Sequence, residues 1–115
     1  MLNLSVVIPS YNRPDSLLLC LKALTGQTLN PARFEVIVVN DGSRYSPLFI
    51  SRQRCFWLNQ PHRGPAAARN LGIKKAKGEI ILFLGDDIIA SPNLLKIHCQ
   101  KQNRKNNLAV LGHIS

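Results

Sequence analysis

Two adjacent carboxylates, Asp86 and Asp87, follow the run Glu79-Ile80-Ile81-Leu82-Phe83-Leu84-Gly85. Neighbouring acids repel, and each raises the other's pKa unless a cation or hydrogen-bond donors offset the charge. Magnesium and manganese sites that hold phosphates are often built from one or two carboxylates, with water and ligand oxygens completing the shell. The pair therefore points to a ligand that carries a diphosphate. Other unusual polar residues also follow apolar runs: Pro9, Ser10, Tyr11, Asn12 and Arg13 after residues 4–8, and Asp41 after residues 35–39.

The elements that would position these groups can be read along the chain. Residues 4–8 form a short apolar strand, and Pro14 fits the first turn of a helix whose stripe Leu17, Leu18, Leu21 and Leu24 runs to Gly26. Residues 35–39, with the β-branched run Val36-Ile37-Val38-Val39, read as a second strand, closed by the turn Asn40-Asp41-Gly42-Ser43. A helical turn is expected around 48–51, a short third strand over 55–58, and an Ala-rich helix from the Pro65 region to about Ala76, stopped by Gly78. The run 79–84 is a strand buried on both faces. Ser91-Pro92 reads as a cap and proline start for a helix to about Lys105, and 108–111 as a last, unfinished strand.

Alternating strands and helices make this an α/β chain with a mostly parallel sheet of about four strands flanked by helices, Rossmann-like in class. In open sheets of this kind ligands bind beyond the carboxyl ends of the strands, where the polar groups fall. The 115 residues leave room for one domain with a single core.

Charge is uneven: of 15 basic residues, eleven follow position 50, against three acids there. Such a field suits phosphorylated ligands, nucleic acid or an anionic membrane surface, although most of these lysines read as solvated surface. No helix-turn-helix, zinc-finger or aromatic-basic sheet pattern supports nucleic-acid binding. Cys20, Cys55 and Cys99 are odd in number and widely spaced, so they read as buried small hydrophobes in a reduced, cytoplasmic setting. No apolar run approaches the roughly 20 residues of a membrane span.

Neither G-x-G-x-x-G nor G-x-x-x-x-G-K-[ST] occurs, so phosphates would be held without a glycine-rich loop, by a metal at Asp87 and basic side chains from the 63–69 region. Four motifs in the same order with similar spacing resemble glycosyltransferase family 2: Val6-Val7-Ile8-Pro9-Ser10-Tyr11-Asn12-Arg13, Val38-Val39-Asn40-Asp41-Gly42-Ser43, Gly64 with Ala68-Arg69-Asn70, and Gly78-Glu79 leading to Gly85-Asp86-Asp87. The resemblance covers nearly the whole chain. It implies a GT-A fold, with residues 1–115 as the nucleotide-sugar-binding half and the acceptor half absent.

By position, the resemblance implies that Pro9, Ser10 and Tyr11 border the base and that Asp41 hydrogen-bonds base or ribose. Arg69 would lie near the base or phosphates, Asp86 at the ribose, and Asp87 on a Mn2+ or Mg2+ ion bridging the diphosphate. Many family members carry D-x-D where this chain has Gly85-Asp86-Asp87, so the first acid of the triplet is missing. Each residue also has a plainer reading. Asp41-Gly42 could be only a turn, Asp86 and Asp87 a solvated loop, Tyr11 a partly buried aromatic and Arg69 a helix-surface charge. His62 reads as a loop histidine, and Asn12 as a helix cap.

The resemblance further implies inverting sugar transfer from a nucleotide diphosphate, more commonly UDP than GDP, to an acceptor hydroxyl. Such a displacement needs a carboxylate base. Of the six acids, Asp15 belongs to a helix start, and Glu35 and Glu79 to the wrong ends of strands, so the base is expected from the absent acceptor half. An alternative is a truncated or accessory nucleotide-diphosphate-binding module without transferase activity. Membrane association through segments not present stays open, and an uncovered sheet edge is expected to favour self-association.

Overall fold

The computed structural model describes residues 3–43, 54–102 and 109–111, so the helical turn expected around 48–51 lies outside the described residues. The strands are β1 (Leu4–Ser10), β2 (Phe34–Asn40), β3 (Arg54–Asn59), β4 (Ile80–Phe83) and β5 (Ala109–Leu111); the helices are α1 (Pro14–Thr25), α2 (Pro65–Lys75) and α3 (Leu94–Gln102). All strand pairs are parallel, in the order β3-β2-β1-β4-β5. The four main strands expected are present, and the unfinished strand expected at 108–111 forms β5.

Period-two alternation sorts the strand residues onto two faces. Leu4, Val6, Ile8, Val36, Val38, Leu82 and Leu84 pack with Leu17, Leu21 and Leu24 of α1 and Leu95 and Cys99 of α3. Val7, Ile37, Val39 and Ile81 form the other face, with Ala68 of α2 against them. Covering helices on both faces explain why β2 and β4 carry continuous apolar runs rather than alternating ones. Cys20 and Cys99 are buried, as their sequence setting indicates, whereas Cys55 is only half-buried.

The sheet opens between β1 and β4, where the connection order reverses. The Val7 carbonyl accepts the Leu84 N–H at 3.0 Å, the last bond holding the β4 segment to β1. Pro9, two residues on and facing the same neighbour, has no N–H to continue the ladder. Beyond it the chain at 85–87 is free to leave the sheet and carry Asp86 across the end of β1.

Two helix starts differ from expectation. Asn12 does not cap α1: it sits at φ 54°, and Arg13 is the flanking residue, with its carbonyl accepting the Leu17 N–H. The Asn12 N–H instead donates to Ser43 Oγ at 2.6 Å, tying the β1 loop to the β2 loop. Nor does Ser91 start α3 as a side-chain cap. Its carbonyl accepts from Gln27 Nε2 at 2.7 Å, while Gln27 Oε1 accepts the Leu95 N–H at 3.0 Å, so a residue from the loop after α1 satisfies the α3 terminus.

Candidate active site

A cleft of about 310 Å³ opens at the carboxyl ends of the strands, lined by Pro9, Ser10, Tyr11, Arg13, Asp41, His62, Pro65 and Asp86. It lies at the reversal point of the sheet, where α/β folds of this order take ligands. Of the expected site residues, Pro9, Ser10, Tyr11, Asp41 and Asp86 meet here. Arg69 and Asp87 are not among the lining residues.

Asp41 is the most heavily engaged group. It is 3% exposed, and its Oδ1 accepts from Gln60 Nε2 at 2.7 Å and the Arg63 N–H at 2.8 Å. Its Oδ2 accepts the Gly64 N–H at 3.0 Å, with His62 Nδ1 also at 3.0 Å. Burial pushes the Asp41 carboxyl up, but these donors and the neighbouring His62 outweigh it and hold the group below the ordinary carboxylate range. Four donors fill the lone-pair sites of one carboxylate. Asp41 therefore secures the 60–64 loop, and a ligand N–H could reach it only by replacing Gln60 or His62, the two side-chain donors.

Asp86 is held differently. Ser10 Oγ donates to its Oδ2 at 3.1 Å, and Arg13 stands 3.6 Å from Oδ1. Burial pushes this carboxyl up, the Ser10 hydroxyl, Arg13 and the Tyr11 N–H pull it down, Asp87 pushes it further up, and the net direction is upward. The same Arg13 lies 3.7 Å from Asp87, whose side chain is 59% exposed. The repulsion expected between the adjacent acids is thus relieved in part by one shared guanidinium. Behind them Cys20 approaches the Gly85 carbonyl, and burial together with both aspartates raises its thiol to about 12, which makes it inert.

Tyr11 and His62 form a stacked pair, with centroids 4.1 Å apart and planes 26° from parallel. His62 also lies 3.1 Å from the Asp41 carbonyl. Because both of its oxygen neighbours are acceptors, Nδ1 carries the proton. Gly42 makes this approach feasible: at φ +96° it has no Cβ, and one added there would sit 2.8 Å from the His62 backbone nitrogen.

Arg69 is drawn elsewhere, its guanidinium over the Phe83 ring at 5.9 Å, a cation–π distance. Arg63 contributes its backbone N–H, not its side chain, to Asp41. The sequence reading missed Arg13 and His62 as site residues. Arg13 could have been found from its place beside Tyr11 at a strand end, whereas the linear pattern carried no signal for the pairing of His62 with Tyr11 and Asp41.

Among the described residues no three His, Cys, Asp or Glu side chains gather as a metal cage. The exposed Asp87 beside Asp86 offers hard carboxylate oxygens on one side only. That donor set fits a Mg2+ or Mn2+ ion that brings water and phosphate oxygens with it, and does not fit a closed protein site.

Comparisons with known proteins extend this picture. The model of the family described as Glycosyl transferase family 2 matches residues 5–115. An uncharacterized glycosyltransferase of Rickettsia bellii is 35% identical over 116 residues, covering 96% of this chain and 16% of that protein. The poly(ribitol-phosphate) beta-glucosyltransferase of Bacillus spizizenii is 39% identical over 111 residues, covering 83% of this chain and 16% of that protein. The crystal structure of S. aureus TarS 1-349 in complex with UDP-GlcNAc shares the fold with a TM-score of 0.81 at 27% identity, covering 89% of this chain and 31% of that one. This chain thus spans a minor part of the length of these relatives. The sheet order, the cleft at its reversal point and the family match along nearly all of the sequence have one reading: the chain belongs to glycosyltransferase family 2, with the GT-A fold.

Proposed function

We propose that the chain binds the donor of an inverting glycosyl transfer, a UDP-sugar held with a divalent cation, and that its residues 1–115 serve as the donor half of such an enzyme. The observation that carries this reading is the cleft itself, which sets the flat ring of Tyr11 beside the buried carboxylates Asp41 and Asp86 at the sheet's reversal point. The UDP-GlcNAc complex of TarS supports a uridine nucleotide as the ligand.

In this reading the base lies against Tyr11, between Pro9 and the loop that Asp41 secures. Asp86, pinned by Ser10, accepts a hydrogen bond from a ribose hydroxyl. Arg13 faces the diphosphate, exchanging part of its pairing with Asp86 and Asp87 for phosphate oxygens. Asp87 is the residue that would hold the cation, which supplies positive charge to the leaving diphosphate. Arg69 serves the site at one remove, by packing α2 against β4 through Phe83.

The sequence has six acids, and all are placed. Asp15 is in the first turn of α1, Glu35 is buried at the start of β2 and Glu79 precedes β4. With Asp87 given to the cation, none is positioned to take the acceptor's proton. This favours a second reading for the chain by itself, binding without transfer, the base being supplied by a further segment.

Calorimetric titration of the 115-residue chain with UDP and with GDP, each with and without Mn2+, tests both readings. Metal-dependent binding of UDP is expected. Lack of binding to either nucleotide would sink the donor-site reading, and donor hydrolysis or transfer by the chain alone would sink the second. The Asp87→Ala variant is expected to bind UDP equally with and without Mn2+.

A further inference from the structure

We propose that His62 is a positioning residue for the nucleobase, holding the Tyr11 ring as the platform on which the base stacks. The inference rests on the donor-site reading above and adds to it a residue that neither the motifs nor the comparisons assign. Three contacts fix the imidazole in place. Nδ1 lies 3.0 Å from Asp41 Oδ2 and 3.1 Å from the Asp41 carbonyl, and the ring stacks on Tyr11 at 4.1 Å. Its backbone packs over Gly42, where any side chain would displace it.

Tyr11 itself needs such a partner. Tyr11 is 43% exposed even with His62 stacked on it, directly after β1 and before Asn12, which has a left-handed backbone. Without the imidazole the ring would be still more exposed, would turn about its side-chain torsions and would lose rotamer entropy on accepting a base. His62 covers part of it in advance, so that the cost is met during folding rather than on binding. Asp41 is the anchor of the arrangement, since the same carboxylate that closes the 60–64 loop also orients the imidazole. The base then extends an existing stack of two rings. Because stacking is tolerant of ring identity, His62 strengthens nucleotide binding without choosing the base.

The test separates the stack from the tether. UDP and pyrophosphate binding would be measured for wild type and for His62→Ala, His62→Phe and His62→Asn, with thermal melting of each to confirm the fold. His62→Ala is expected to weaken UDP binding about tenfold, the range of one aromatic pair, and to leave pyrophosphate binding unchanged. His62→Phe keeps the stack and loses the bond to Asp41, so it is expected to stay within about threefold of wild type for UDP. His62→Asn keeps a donor for Asp41 and loses the stack, and is expected to bind as weakly as the alanine variant.

The opposite ranking, with Asn near wild type and Phe as weak as Ala, would show that His62 acts only as a loop tether and overturn the proposal. Unchanged UDP binding in His62→Ala would overturn it as well. Tighter UDP binding by that variant would overturn it in another way, showing that the imidazole occupies the place of the base. Failure of wild type to bind UDP would instead remove the donor-site reading, and this inference with it.

Discussion

The Ser10 hydroxyl donates to Asp86 Oδ2 at 3.1 Å, joining the end of β1 to the turn after β4. This bond and Arg13 do not fully offset the burial of Asp86, whose carboxyl stays above its ordinary value. A raised carboxyl favours the folded state below the unfolded pKa, and that contribution is lost as pH rises through the folded value. At neutral pH, ionised Asp86 therefore costs stability. The Asp86→Asn variant should melt a few degrees higher than wild type at pH 7, where about 1 kcal/mol corresponds to roughly 4–8 °C in a domain of this size. The gap should close near pH 3. UDP affinity should fall at least tenfold, because an amide is a poorer acceptor for a ribose hydroxyl than a carboxylate. A lower melting temperature at pH 7 would contradict this account.

Asp41 predicts the opposite pH behaviour. Its carboxyl is held below the ordinary value of 3.8, so its contribution is present above that pH and is lost as pH falls through the folded value. Asp41→Asn keeps one acceptor oxygen and turns an NH2 group toward donors. With charged and buried hydrogen bonds lost, the expected cost is about 2–4 kcal/mol at pH 7, read from urea unfolding. The difference from wild type should shrink as pH falls below 3.8. UDP binding should weaken too, since the 60–64 loop loses its anchor.

The fold was legible because its signals are local and repeated. β-Branched residues at 36–39 and the apolar run 80–84 demand burial on both faces, and Pro14 and Gly26 bracket a helix of the right period. The start of α3 was misread because its N–H partner, Gln27, comes from the loop after α1, far away in sequence. The same limit applies at the site. Asp41 and Asp86 stand out as acids after apolar runs, but the stack of His62 on Tyr11 joins residues far apart in sequence, and neither one's local pattern announces the other. Arg69 carries the converse lesson, since a basic residue in a family motif is satisfied by the Phe83 ring rather than by the cleft.

Among the described residues the sheet ends on β3 and β5, and Phe56 in β3 leaves 48% of its surface exposed. An edge strand with an exposed aromatic is a template for pairing with another chain. Sedimentation of the 115-residue chain at micromolar concentration should therefore show self-association, and Phe56→Lys should reduce it. A single monomeric boundary for wild type with cooperative melting would count against the prediction.

At the opposite end of the sheet, Glu35 is 2% exposed and accepts from Ser5 Oγ at 2.5 Å and the Lys77 N–H at 2.7 Å. Ser5 Oγ in turn accepts the Gly78 N–H at 2.8 Å, so the buried acid closes the turn that leads from α2 into β4. Glu35→Ala would leave the buried Ser5 hydroxyl and the half-buried Lys77 N–H without this acceptor. The expected loss is about 2–4 kcal/mol, measured by urea unfolding. The cleft lies at the other ends of these strands, so the folded variant should bind UDP with unchanged affinity. Weakened UDP binding at unchanged stability would place Glu35 in the ligand site and contradict its role as a structural anchor.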